Sequence, residues 1–247
     1  MPLTRQDYET SVKKAVRFFW KTRAAATRKN KAGAKKDAGS RGGATGGKNL
    51  DGFSDLIRRM VSQVGPSDLE VHENQKLVTL PGHFRPSKKW DIVIMHHGKL
   101  IAVLELKSLG GPSFGNNFNN RCEEAIGSGL DFKTAQREGA FGRGATPFLG
   151  FFILIHDAEK SRRVSSRTSI NTAFKCDEIF KDSSYQTRMA ILCERLMQES
   201  IYSSAATMSS PDTAARSGAF SDLSEPSTFF RFLNKLQAHI IAETSIV

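Results

Sequence analysis

Eighteen residues, Trp90 to Lys107 (WDIVIMHHGKLIAVLELK), constrain this chain more than any other stretch. Ile92, Val93 and Ile94 precede a polar break, and Ile101, Ala102, Val103, Leu104 and Leu106 follow it. Runs that are apolar on both faces belong to strands covered on both sides of a sheet. His97-Gly98-Lys99 predicts a three-residue turn, a common hairpin length. Strand residues whose numbers sum to 196 then pair, and Asp91 falls opposite Glu105. Alternation puts Lys107 on the same face as Glu105. Two carboxylates and an ammonium thus meet at the open end of one hairpin.

Carboxylates at the ends of buried strands need a partner. A hard divalent cation such as Mg²⁺ is one, because it takes oxygen ligands and keeps several waters. A metal held there polarises a phosphoryl oxygen and lowers the pKa of its water. A neighbouring lysine can orient that water or meet charge developing on the phosphate. The same three residues also suit a solvated strand end, with Lys107 as salt-bridge partner of Glu105.

Asp91…Glu105-Leu106-Lys107 resembles the PD-(D/E)xK nuclease signature, with Trp90 standing where that pattern has proline. GPSFGNNFNNRCEEAIG (111–127) resembles the XhoI family of type II restriction endonucleases. So do the opening MPLTRQDYE, TGGKNLDGF (45–53) and LPGHFRPSKKWD (80–91). The resemblance spans most of the chain and is weakest after about Ser200. It implies a restriction-endonuclease-like fold and Mg²⁺-dependent cleavage of double-stranded DNA at the palindrome CTCGAG with 5′ overhangs. It also implies a homodimer matching the two-fold site and a cognate methyltransferase protecting host DNA. On that reading Asp91 and Glu105 bind metal, and Lys107 orients or activates the attacking water. Asp51 is a further candidate metal carboxylate, since nucleases of this fold often use a helix-borne acid; otherwise it is a helix cap.

Length, composition and charge fit. A chain of 247 residues can bury one sizeable core, and we expect one endonuclease domain over 1–247. No run approaches a membrane span, and MPLTRQDYET has no apolar signal region, so a cytoplasmic enzyme is expected. Cys122, Cys176 and Cys193 match no zinc spacing and read as thiols in a reducing compartment. The net charge is +11. Nine basic residues and one acid between Lys21 and Lys48 carry +8 of it. A basic stretch of this kind suits a polyanion partner. Ala24 to Gly47 lacks large apolar residues and reads as a flexible arm. Within it, Gly42…Gly47-Lys48-Asn49 nearly spells a P-loop, but Asn49 replaces the hydroxyl residue and no strand precedes it.

Periodicity supplies the remaining elements. Tyr8, Val12, Ala15, Val16 and Phe19 share one helix face. Phe53, Leu56, Ile57, Met60, Val61 and Val64 share another, from Asp51 to a stop at Gly65-Pro66. A strand is expected over 76–80, a Gly/Asn/Phe loop over 109–120, a helix over 121–137 and a buried strand over 148–155. A helix follows from Tyr185 to about Thr207, and a last one carries Phe229, Phe232, Leu233, Leu236 and Ile240 after a Ser227 cap. The expected fold is α/β (α+β), an αβββαβ core with a mixed sheet flanked by helices and extra terminal helices. Candidate DNA contacts are Lys48, Asn49, Arg85, Lys88, Ser113, Asn116, Asn117, Asn119, Asn120, Arg121, Arg162 and Arg163. His96 and His97 read as solvated turn histidines. Two alternatives stay open on the residues alone: a repair or junction-resolving nuclease on the same core, and a non-catalytic DNA-binding module.

Overall fold

The computed structural model describes residues 4–32, 47–73, 76–164 and 174–245. Its centre is β5 (Lys99–Leu109), paired antiparallel to β4 (Ile92–His96) and parallel to β6 (Phe148–His156). The sheet is mixed, in the order β1 (Glu70–Glu73), β4, β5, β6, β7 (Ser204–Ser210), β8 (Ser221–Asp222). Helices cover both faces. α1 (Arg5–Ala32), α2 (Asp51–Val64) and α7 (Phe229–Thr244) bury Phe19, Phe53, Ile57 and Phe232 against Ile92, Ile94, Leu104 and Phe152. On the other face, α3 (Phe114–Arg137) and α5 (Tyr185–Gln198) bring Phe114, Phe132 and Met189 against Val93, Val103, Phe151 and Ile153. Two short helices, α4 (Glu159–Arg162) and α6 (Ala214–Ser217), follow β6 and β7. Gly150 lets α7 approach closely, since a Cβ there would meet Leu104 at 2.5 Å and Phe232 at 2.8 Å.

The αβββαβ order holds as α2-β1-β4-β5-α3-β6, with a different first strand. Residues 76–78 form a 3₁₀ turn, and β2 (Thr79–Pro81) pairs with β3 (Ser87–Lys89) in a separate small sheet. The strand that enters the main sheet is Glu-Val-His-Glu, short and polar as edge strands tend to be, so it leaves no apolar signature. The expected loop over 109–120 is helical from Phe114 on, because Phe114 is buried and Phe118 packs with it around Tyr185. The helix expected to reach Thr207 stops at Gln198. Beyond it, β7 is a fully buried strand of serine, alanine, threonine and methionine. Small residues carry little strand signal, and here they admit helices on both faces.

Other boundaries shift. Thr228, not Ser227, caps α7 by accepting the Arg231 N–H at 3.2 Å, and Ser227 is buried with its carbonyl on the Thr207 N–H. Leu50 takes the cap position of α2, and Asp51 is its first helical residue. α1 continues to Ala32, so the first part of the expected arm is helical; 33–46 lies outside the described residues.

The hairpin turn is shorter than expected. His96 pairs with Lys99, leaving His97 and Gly98 as a two-residue turn. Both have positive φ, 48° and 75°, as the hairpin turn that follows strand twist requires. An irregularity between Ile94 and Met95 absorbs the difference, so Ile92 still faces Leu104 and the sum of 196 holds at the open end.

One clamp holds the small β2–β3 sheet to the body. The buried Asp131 of α3 accepts the backbone N–H groups of His83 and Phe84 at 2.8 Å each and the Arg85 guanidinium at 2.7 Å. Burial works to raise the Asp131 pKa, but these donors outweigh it and hold the carboxyl below its ordinary range. A carboxyl depressed in this way contributes stability above its unfolded pKa of about 3.9, and that contribution is lost as pH falls through the folded value. Asp131→Asn should therefore destabilise the protein by about 2 kcal/mol at pH 7, the scale of a hydrogen bond to a charge. The penalty should shrink below pH ~4. Denaturant melts at both pH values check this, and a penalty that does not change with pH would contradict it.

Candidate active site

The open end of the β4–β5 hairpin gathers Asp91, Glu105 and Lys107. Continuing the register by one residue sets Asp91 opposite Glu105. The Asp91 N–H donates to the Leu104 carbonyl at 3.2 Å, and its Oδ2 accepts the Leu106 N–H at 2.7 Å. The carboxylate thereby continues the ladder where the backbone of β4 leaves it. Glu105 and Lys107 alternate with Val103 and Leu109 on the face covered by α3 and α5. Asp91, two residues before Val93, points to that face as well.

Burial sets the electrostatics. Glu105 is 3% exposed. Lys107 forms an ion pair with its Oε1, and Lys88, from β3, donates to its Oε2 at 2.7 Å. Burial raises the Asp91 pKa, and the Glu105 charge raises it further; the Leu106 N–H and the two lysines act against this. Burial would lower the Lys107 pKa, but Glu105 and Asp91 outweigh it and the ammonium is held above its ordinary value. Lys107 is therefore a donor at neutral pH in this state, not a base. Two carboxylates whose charges repel each other, set opposite one another in a largely buried place, are a donor set that fits a hard divalent cation.

The other sequence candidates are spread around this centre. Arg85 is exposed, with its guanidinium held by Asp131 and Ser128. Lys48 is exposed before α2, whereas Asn49 is buried. Ser113 stands at the N-terminus of α3 without a side-chain cap bond. Asn116, Asn119 and Asn120 are exposed in its first turns, and Asn117 donates to the Gly110 carbonyl at 3.0 Å. Arg121 pairs with Glu124, Arg162 pairs with Asp157 at 2.9 Å, and Arg163 is exposed. Asp51 is not among the groups that act on Asp91. Burial and Asp55 raise its pKa, and it acts in turn on Glu73. Glu73 pairs with Ile92 and shares its face, opposite to that of Asp91.

Sequence reasoning missed three things. Lys88, a candidate DNA contact by sequence, has a side chain only 12% exposed and is paired with Glu105. Its ammonium lies 4.4 Å over the Trp90 ring. The only hint was its place in KKWD, just before Asp91. His96 is not solvated: it is 6% exposed, and its Nε2 lies 3.4 Å from Asp68, to which His97 also bonds at 3.0 Å. The three side chains offer ligand atoms within 4.8 Å of one another, the one such group of three or more among the described residues. A cleft of about 830 Å³ opens beyond the C-terminal ends of β5, β6 and β7. Trp20, Arg23, Phe114, His156 and Asp212 line it.

Comparison with known proteins gives the family. The family described as restriction endonuclease XhoI matches residues 28–222. The type II restriction enzyme XhoI of Xanthomonas vasicola is 42% identical over 80% of this chain and 78% of its own length. The type II restriction enzyme AbrI of Azospirillum brasilense is 44% identical over 71% and 78%. The type II restriction enzyme BstVI of Geobacillus stearothermophilus is 36% identical over 88% and 98%. No solved structure matches. A matched stretch of this extent, containing the Asp91–Glu105–Lys107 hairpin, identifies the chain as a member of the XhoI family of type II restriction endonucleases, which are site-specific deoxyribonucleases.

Proposed function

We propose that this enzyme is a Mg²⁺-dependent PD-(D/E)xK endonuclease that hydrolyses double-stranded DNA at CTCGAG and leaves 5′ overhangs. It acts as a homodimer of single endonuclease domains on the two-fold site, beside a methyltransferase that protects the same sequence. The observation that carries the chemistry is the buried pairing of Asp91 with Glu105, with Lys107 on the same carboxylate. The target sequence rests on the resemblance to the XhoI family. Among the described residues no helix is long and apolar enough to cross a membrane, and we assign the enzyme to the cytoplasm, where the DNA is.

Asp91 and Glu105 would hold the cation. Bound there, Mg²⁺ supplies Lewis acidity to the phosphoryl oxygen and a more acidic water. Lys107 supplies a fixed positive charge and hydrogen bonds to the attacking water or to the phosphate oxygens. Val93, Val103 and Trp90 beside the site are buried, and partial removal from water strengthens each of these interactions. Basic residues between Lys21 and Lys48, with Arg162 and Arg163, would meet the DNA backbone, and the asparagines at the start of α3 would lie near bases or phosphates.

Plasmid DNA bearing CTCGAG should give discrete bands with Mg²⁺ and none with chelator; a smear would favour a nuclease without sequence choice. Asp91→Ala and Glu105→Ala should abolish cleavage. Lys107→Ala should slow single-turnover cleavage at saturating enzyme and Mg²⁺ by about a hundredfold or more, the scale of losing one preorganised donor. A loss below about threefold would make Lys107 a salt-bridge partner of Glu105 only.

A further inference from the structure

Glu105 is closed off in a way that the family signature does not demand. Both of its oxygens carry an ammonium group, Lys107 on Oε1 and Lys88 on Oε2 at 2.7 Å. Asp91 gives Oδ2 to the Leu106 N–H. Among the described residues, Asp91 Oδ1 is the one oxygen of the four without a hydrogen bond. Lys88 is not a surface lysine that has drifted in. Its side chain is 12% exposed, its ammonium stacks 4.4 Å over Trp90, and it also donates to the Lys89 carbonyl at 3.2 Å. Trp90 is itself pinned edge-on to Phe132 of α3. The Asp131 clamp fixes the turn that leads into β3. The ammonium is thus delivered to Glu105 by the body of the protein.

We infer that Lys88 is a resident counter-ion of the acid pair, a positioning residue that competes with the divalent cation for Glu105 Oε2. In the metal-free protein it offsets a buried negative charge that would otherwise be costly. Asp91 and Glu105 therefore stay in place without a metal. The same contact opposes metal entry, because Lys88 must leave Oε2 before a cation can share that oxygen, and its positive charge repels the cation while it stays. Lys88 thus sets the metal affinity of the DNA-free enzyme low. The inference rests on the assignment of Asp91 and Glu105 as metal ligands.

The test is Mn²⁺ binding to the full chain without DNA, followed by electron paramagnetic resonance of the free ion. Lys88→Met keeps an unbranched side chain over Trp90 and removes the charge. It should bind Mn²⁺ about tenfold more tightly than the unaltered protein, and Lys88→Gln, a second neutral variant, should do the same. Lys88→Arg keeps the charge and should leave the affinity within about threefold. A purely structural lysine predicts the opposite sign, since a loosened site binds metal less well. Equal or weaker binding by the neutral variants, with Glu105→Ala still abolishing Mn²⁺ uptake, would overturn the role of Lys88 and leave the metal site standing. Undiminished uptake by both Asp91→Ala and Glu105→Ala would overturn the metal site and this inference with it.

Discussion

A carboxylate that is 3% exposed on a central strand is the constraint around which this structure is arranged. Burying an isolated ionised group costs several kcal/mol even after relaxation. Glu105 avoids that cost through Lys107 on its own strand and Lys88 from the small side sheet. Each lysine is held in turn. Lys107 follows from strand alternation. Lys88 depends on β3, the face of Trp90, and the Asp131 clamp on the turn before it. The charged group at the centre of the sheet is therefore tied to α3 through a hydrogen bond to Lys88, the ring contacts of Trp90, and the Asp131 clamp on the turn before β3.

The second carboxylate is placed by a different device. Asp91 sits one residue before β4, and its side chain accepts a backbone N–H of β5. A strand end is normally a place where polar backbone groups go unmet. Here the end is satisfied, and the other carboxylate oxygen is left without a hydrogen bond among the described residues. The register that makes this possible survives a shorter turn, because the irregularity near Met95 restores the pairing lost at His97-Gly98. That irregularity also sits beside His96, which is buried at the far end against Asp68.

The sequence made some of this legible and hid the rest for identifiable reasons. Ile92 to Leu106 announced two buried strands through unbroken apolar runs, and Phe53 to Val64 announced α2 through its spacing; both lie where expected. β7 and β1 stayed hidden, one because serine and alanine carry no strand signal, the other because Glu70 to Glu73 is a polar edge. FGNNF read as a loop by composition, whereas its phenylalanines pack in the core and start α3. Asp91, Glu105 and Lys107 were recoverable because all three follow from one hairpin register. Lys88 was not, since its bond to Glu105 joins two sheets across 17 residues with no period linking them. Asp51, by contrast, looked suitable by residue type, and its charge acts on Glu73, a residue on the face opposite to that of Asp91.

The account makes the Asp91–Glu105 pair the metal centre, although the described residues also offer a denser ligand group at Asp68, His96 and His97. These lie at opposite ends of the same hairpin, so locating the metal distinguishes them without reference to rate. The direct measurement is anomalous scattering from Mn²⁺ in crystals of the enzyme with duplex DNA. The account predicts the principal peak between Asp91 and Glu105, with metal–oxygen distances of about 2 Å, as for a hard cation of this size. A peak at Asp68, His96 and His97 with none at Asp91 and Glu105 would contradict it.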